Sequence, residues 1–336
     1  MKLGLMWGYW GQLPPPGLIE LTQEAERLGY DSVWTAEAWG SDAFTPLGYL
    51  AGHTSTITLG TSVVQLAART PTATAMAAIT LDHLSNGRFQ LGLGVSGPQV
   101  VEGWYGRPST KPLARTREYV EIIRRVLARE EPLDFHGEFH DHPYTGPGST
   151  GLGKPLKAIT HPLRRDLPIY LGAEGPKNVA MAAEIADGWL PLYYSPFHPD
   201  VYGPSLAGAP DGFDIVAGAQ LNIADTVEEG LAPVKMMLAF YIGGMGAKGQ
   251  NYHTGLMGRF GYEEEAIRIQ DLFFEGRRDE AIAAVPDEFA DAISLVGPRE
   301  RIAERLEAWE ASPVSTLLVY SPGSAEALRT IAELVL

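Results

Sequence analysis

The sequence predicts an α/β chain closed into a (β/α)8 TIM barrel, and three observations lead there. Short apolar runs alternate with amphipathic helical segments along most of the 336 residues, which marks βα units on a parallel sheet. Close to eight such units follow one another with no internal repeat and no linker-like boundary, so residues 1–336 read as one domain. The turn after the first strand, Gly8-Tyr9-Trp10-Gly11-Gln12, lacks the G-x-G-x-x-G of an open dinucleotide-binding sheet. A doubly wound open sheet stands as the structural alternative.

The elements follow in order. Leu3–Trp7 reads as the first strand and Pro14–Leu28 as a helix, with Leu18, Leu21, Ala25 and Leu28 on one face and Gly29 just past its end. Ser32–Thr35 and Phe44–Ala51 make the second unit. Thr56–Val64 and Pro71–Leu84, with Pro at the helix start, make the third, and Phe89–Leu93 and Leu113–Ala128 the fourth. Residues 131–166, rich in Pro, Gly and His, read as an insertion after strand four that carries a small hairpin. Leu167–Leu171, Pro176–Ile185 and Gly188–Leu192 restore the rhythm. Phe213–Leu221 and Val234–Tyr241 read as later strands with a short helix from Thr226 between them. Residues 243–261 read as a long Gly-rich loop. Glu263–Phe274, Asp279–Ala284, Asp287–Ser294 and Arg299–Ala308 read as helices, Thr316–Tyr320 as the last strand and Ala325–Leu334 as the closing helix.

Composition narrows the function. Lys and Arg total 26 against 41 Asp and Glu, a net charge of −15, which repels nucleic-acid phosphates and anionic membranes. With no cysteine, disulfides, thiolate metal sites and a Cys nucleophile drop out. The N-terminus does not read as a signal peptide, and no stretch of about 18 uncharged apolar residues occurs. The expectation is a soluble, cytoplasmic protein with a small-molecule substrate.

In a barrel the site is built from the loops that follow the strands. Gly172-Ala173-Glu174-Gly175-Pro176-Lys177 leaves a strand and opens a helix. Free amides and the helix dipole there suit a phosphate, and two glycines permit close approach; an ordinary tight turn is the plainer reading. Gly92-Leu93-Gly94-Val95-Ser96-Gly97-Pro98 offers a second set of amides, and Pro98 excludes a serine-hydrolase elbow. Gly148–Pro155 nearly spells a P-loop but carries Pro155 where a hydroxyl residue is required. His136, Glu138, His140, Asp141 and His142 lie in the polar insertion and read as a solvated loop, so no metal is expected. Glu37 and Trp39 follow the second strand. A carboxylate among aromatics at a barrel mouth is a candidate acid or base, with Trp39 and Trp7 as walls; a salt-bridged loop Glu beside a core Trp is the alternative.

Taken together, Gly29–Trp34, Thr61–Val64, Leu81–Phe89, Gly92–Gly97 and Ile169–Lys177 running into Ala186–Trp189 resemble the bacterial-luciferase-like superfamily, and within it the branch using the deazaflavin coenzyme F420. The Gly172–Pro176 turn is especially similar to that of methylenetetrahydromethanopterin reductases, and Met245–Gly249 also looks like that branch. The resemblance implies F420 at the C-terminal mouth and a non-prolyl cis peptide at Ser62-Val63 backing the ring. It implies the cofactor phosphate on Gly172–Lys177 and its chain against Ser96-Gly97, in a homodimer. Lys154, Lys157 and Arg164 or Arg165 are candidates to screen a polyglutamate tail, with plain solvated charge the leading alternative for each. Two departures restrict the chemistry. The Glu that sugar-phosphate-oxidising members carry after strand four is replaced by Pro98 or Gln99, and the His after strand two is replaced by Glu37-Ala38. The expected function is hydride transfer between F420 and an organic substrate. An FMN-dependent monooxygenase is the alternative; a non-catalytic carrier and a metal-dependent hydrolase are more distant ones.

Overall fold

The computed structural model describes residues 1–249, 251–320 and 323–336. Its first half alternates as read: β1 (Lys2–Gly8), α1 (Leu18–Leu28), β2 (Ser32–Thr35), α2 (Phe44–Ala51), β3 (Thr58–Thr61) with its short continuation β4 (Val64–Gln65), α3 (Pro71–Leu84) and β5 (Phe89–Gly94). Then come α4 (Pro98–Gly103), α5 (Pro112–Ala128), the hairpin β6 (Phe135–His136) and β7 (Asp141–His142), β8 (Ile169–Gly172), α6 (Pro176–Ile185) and β9 (Gly188–Leu190). After a 3-10 turn at Pro199–Val201 the chain forms α7 (Gly203–Leu206), β10 (Asp214–Ile223), α8 (Val227–Gly244), α9 (Tyr252–Arg259) and α10 (Glu263–Phe274). It ends with α11 (Arg278–Ala283), α12 (Asp287–Ala292), β11 (Ser294–Gly297), α13 (Arg299–Glu310), β12 (Thr316–Tyr320) and α14 (Ala325–Val335).

Eight parallel strands close a ring: β1, β2, β3, β5, β8, β9, β10 and β12, with β12 returning to β1. β11 pairs with the C-terminal end of β10, Gln220 opposite Ser294 through Ile223 opposite Gly297, as an extra parallel strand. The main core lies between this ring and the helices. A second, smaller cluster, including Met6, Trp34, Tyr170, Leu190, Val216 and Leu318, fills the lumen. Trp34 is its plug: a Cβ on Gly60 would come within 2.3 Å of the indole, so only glycine leaves room for it, and Trp34 Nε1 donates to Ser32 Oγ at 2.9 Å. The barrel therefore has a solid floor, and ligands are confined to the mouth above it.

Local signals explain most boundaries. Gly29, at φ 91°, closes α1 because a left-handed residue costs glycine nothing. Thr70 Oγ1 accepts from Ala73 N ahead of Pro71 to start α3. Asp82 on α3 is buried and held by Arg164, which also donates to Phe89 O. Arg164 is thus a structural tie, not a charge free to screen a ligand tail.

Four readings need correction. Helix α1 begins at Leu18, not Pro14, after Gly17 at φ 71°. Val234–Tyr241 is no strand but the interior of α8, which starts at a capping box of Thr226 and Glu229. Its buried residues Leu231, Val234, Leu238 and Ile242 recur at helical spacing, which a run apolar except for Lys235 conceals. The helix read over Asp287–Ser294 stops at Ala292, and Ser294 opens β11. Within the stretch read as a loop, 243–261, the segment Tyr252–Arg259 is helical, capped by Asn251 Oδ1 on His253 N; Gln250 lies outside the described residues. An additional short helix, α4, follows the turn after β5.

Candidate active site

A cavity of about 670 Å³ opens at the C-terminal mouth, over the lumen residues Met6, Leu190, Val216 and Leu318. The third strand forms one wall. It ends at Thr61, the Ser62-Val63 peptide is cis, and Val64-Gln65 resumes pairing further along the same neighbour, against Leu93 and Gly94 of β5. Thr61 Oγ1 pins the break by donating to Gly92 O at 2.9 Å. Val63 sits over two glycines: a Cβ on Gly94 would meet Val63 Cγ2 at 2.5 Å, and one on Gly172 would meet Val63 Cγ1 at 3.0 Å. A smooth apolar surface results.

The turn from β8 into α6 forms the opposing rim. Asn178 N and Val179 N bond back to Gly175 O. Among the described residues the amides of Glu174, Gly175 and Lys177 have no acceptor within the protein. Gly175 has open space around its missing Cβ, and the exposed Lys177 lines the cavity with no carboxylate partner among the described residues. Ala173 is buried, its carbonyl bound by Trp189 Nε1 at 2.8 Å. Pro176 is the first residue of α6. Unpaired amides at a helix start, with an ammonium beside them, can bind an anion.

Glu37 and Trp39 both line the mouth, in different states. Trp39 is 46% exposed. Glu37 is buried: Arg69 Nη1 lies 2.9 Å from each of its oxygens, Gln65 N donates to Oε1 at 2.8 Å and Ala43 N to Oε2 at 3.3 Å. So many donors occupy the lone pairs of its two oxygens. Ser96 lines the cavity, whereas Gly97 stands one residue beyond, capping α4. Trp7 does not reach the cavity; its Nε1 donates to Thr22 Oγ1 on α1 at 3.0 Å, and its ring packs on the core.

The remaining wall comes from residues that sequence reasoning did not single out. Tyr9 and Tyr241 share a hydroxyl hydrogen bond of 3.0 Å. Burial, with the Tyr9 hydroxyl alongside, pushes the Tyr241 phenol well above its ordinary range, and burial pushes Tyr320 up to about 12. Both therefore keep their protons at neutral pH. Gln65 presents a buried Oε1 with no partner among the described residues, and so does Glu174 through Oε2. His253 of α9 places Nδ1 3.2 Å from Glu174 Oε1, and Arg259 Nη2 donates to Glu174 O at 2.5 Å. The sequence did offer one signal, since Tyr9, Gln65 and Tyr320 each stand at or just past a strand's C-terminal end.

A parallel barrel whose mouth joins a ring-sized apolar wall to an anion-binding rim defines a cofactor- and ligand-binding α/β-barrel protein. Residues 6–316 match the family described as luciferase-like monooxygenase, and the chain belongs to that family. It is 53% identical over its whole length, and over 99% of the other's, to Rv3520c of Mycobacterium tuberculosis, provisionally named a coenzyme F420-dependent oxidoreductase. It is 29% identical, over 89% of this chain and 87% of the other, to the 5,10-methylenetetrahydromethanopterin reductase of Archaeoglobus fulgidus. The solved coenzyme F420-dependent tetrahydromethanopterin reductase of Methanopyrus kandleri superposes with a TM-score of 0.78 at 24% identity, covering 99% of this chain and 98% of that one, which is a likeness of fold. Among the described residues no helix is long and apolar enough to cross a membrane.

Proposed function

We propose that this protein is a coenzyme F420-dependent oxidoreductase that moves a hydride between the deazaflavin and a small organic substrate. The supporting observation is the full-length similarity to an F420-dependent relative, combined with a mouth whose residues fit the coenzyme. The unpaired amides of Glu174, Gly175 and Lys177 and the Lys177 ammonium suit its phosphate. Val63 offers a flat apolar backing to the ring, and Gln65 Oε1 a buried acceptor at its edge. When bound, F420 supplies the hydride chemistry; the protein orients, desolvates and hydrogen-bonds.

Each residue then has a task. Ser96 flanks the chain between ring and phosphate, and Trp39 shields the opening from water. Glu37 acts through Arg69 and the Gln65 amide as a positioning residue, because its oxygens are already engaged. Tyr9, backed by Tyr241, presents its hydroxyl to the substrate side. The same reading carries a cytoplasmic homodimer, checked by sedimentation and cell fractionation.

Titration of the purified protein with F420 and with FMN, followed by fluorescence, tests the proposal. F420 should bind and FMN should not. Binding of FMN with refusal of F420 would replace it with the monooxygenase reading.

A further inference from the structure

A second cavity, of about 770 Å³, lies beside the first. The two share Val95, Ser96, Pro112 and Tyr252 along their boundary, so a molecule can extend from one into the other. Its walls are largely apolar, from Leu66, Ala73, Val101, Pro108, Phe139 and Tyr119. Tyr119 offers no free polar group, because its hydroxyl is bonded to Thr74 Oγ1 and Arg69 O.

Charge makes this cavity unusual. In a chain with a net charge of −15, guanidinium groups find carboxylates easily, yet two that line this space have none among the described residues. Arg115 stacks 4.1 Å over the Phe139 ring and spends Nε on Thr110 O at 2.8 Å, leaving its two terminal nitrogens unassigned. Arg107 has no side-chain partner among the described residues. The other ionised groups here are compensated: Arg69 by Glu37 and Asp42, and Glu138 by Lys111. Burial lowers the pKa of His140, so it adds no charge near neutral pH. Two unpaired forks above apolar walls are arranged for a carboxylate on an apolar or extended body.

The geometry points to a second binding site, in which Arg107 and Arg115 hold the carboxylate end of a ligand whose other end reaches the barrel mouth. Two sources share that chemistry: the acidic tail of the coenzyme and an acid-bearing substrate. The first source rests on the F420 reading above; the second does not.

Calorimetry on wild type and on R107Q/R115Q distinguishes them, with R107Q alone as a variant that leaves the Phe139 stack intact. The probes are F420 with its oligoglutamate tail, the tail-less deazaflavin riboside, and octanoate with octanol as its uncharged control. Losing charged hydrogen bonds should weaken the ligand concerned by about tenfold or more. Weakened tail-bearing F420 with unchanged riboside assigns the cavity to the coenzyme tail. Unchanged coenzymes, with octanoate bound by wild type and lost in the variants, assign it to an acidic substrate. If wild type binds neither deazaflavin, the F420 reading fails and the octanoate arm alone decides this one. Indifference of every ligand to both arginines overturns the inference.

Discussion

Arg69 Nη1 stands 2.9 Å from both carboxylate oxygens of Glu37, and this pair joins the loop after the second strand to the segment beyond the third. Glu37→Ala leaves a guanidinium and two backbone donors, Gln65 N and Ala43 N, without their acceptor. The expected loss of stability is about 3 kcal/mol, seen as a lower denaturant midpoint. Glu37→Gln keeps the volume but not the charge. It should raise the Kd for cofactor while leaving the shape of the kcat–pH profile unchanged. Disappearance of one limb of that profile in Glu37→Gln would return Glu37 to a proton-transfer role.

The contact between Val63 and Gly94 makes a second test. A methyl on Gly94 would lie 2.5 Å from Val63 Cγ2, so Gly94→Ala must push the valine out of its seat. Such overpacking costs about 1–3 kcal/mol and should weaken ring binding. Adding Val63→Ala removes the collision, so the double variant should recover much of the stability lost, a coupling readable in a double-mutant cycle. Gly175→Ala is the control: its Cβ meets nothing within 4 Å at a φ of −73°, and its midpoint should hardly move.

How far the sequence speaks for the structure depends on the distance over which each signal acts. The Gly172–Lys177 turn was legible because a strand exit, two glycines and a helix-opening proline are neighbours in the chain. The broken third strand was legible only through family resemblance, since nothing local at Ser62-Val63 announces it. Val234–Tyr241 misled because a short run that is apolar except for Lys235 carries no visible period; the decisive signal was the Thr226–Glu229 box several residues earlier. Arg69 as the partner of Glu37, and Arg107 and Arg115 as one cluster, were out of reach. Glu37 and Arg69 meet only where two separate loops converge, and Arg107 and Arg115 are brought to one wall by the fold of α5 and the segment before it; neither arrangement leaves a spacing to read. Helix α9, which delivers His253 to the mouth, was hidden by glycines at 246, 249, 255 and 258.

Acid stability should carry the mark of Glu24, which ties α1 to α14. The hydrogen bonds from Arg27 and then Arg329 hold its carboxyl below the usual 4.5, at about 2. The folded state therefore binds its proton less readily than the unfolded chain. The stabilisation is complete above about pH 4.5 and is lost as pH falls towards 2. Glu24→Gln should melt below wild type at neutral pH by a small margin, because the pair is on the surface. That margin should close on acidification through this window and shrink in high salt. A margin that is constant with pH would show that the pair contributes nothing.

The Tyr9–Tyr241 hydroxyl pair supports the last prediction. Burial raises the Tyr241 phenol, and the adjoining Tyr9 hydroxyl adds to the rise, so Tyr241 keeps its proton, and the hydroxyl it is bonded to on Tyr9 faces the cavity as a donor for a substrate oxygen. Tyr9→Phe removes the donor facing the cavity, and Tyr241→Phe removes the group that orients it. Each deletion should cost about 1 kcal/mol of fold stability, the net worth of a hydrogen bond. If Tyr9 serves the reaction, its loss should lower kcat by more than tenfold with little change in cofactor affinity. Tyr241→Phe should give a milder fall in kcat in the same direction. Equal kcat values for wild type and Tyr9→Phe, with the cofactor bound as before, would leave the pair a structural strut between β1 and α8.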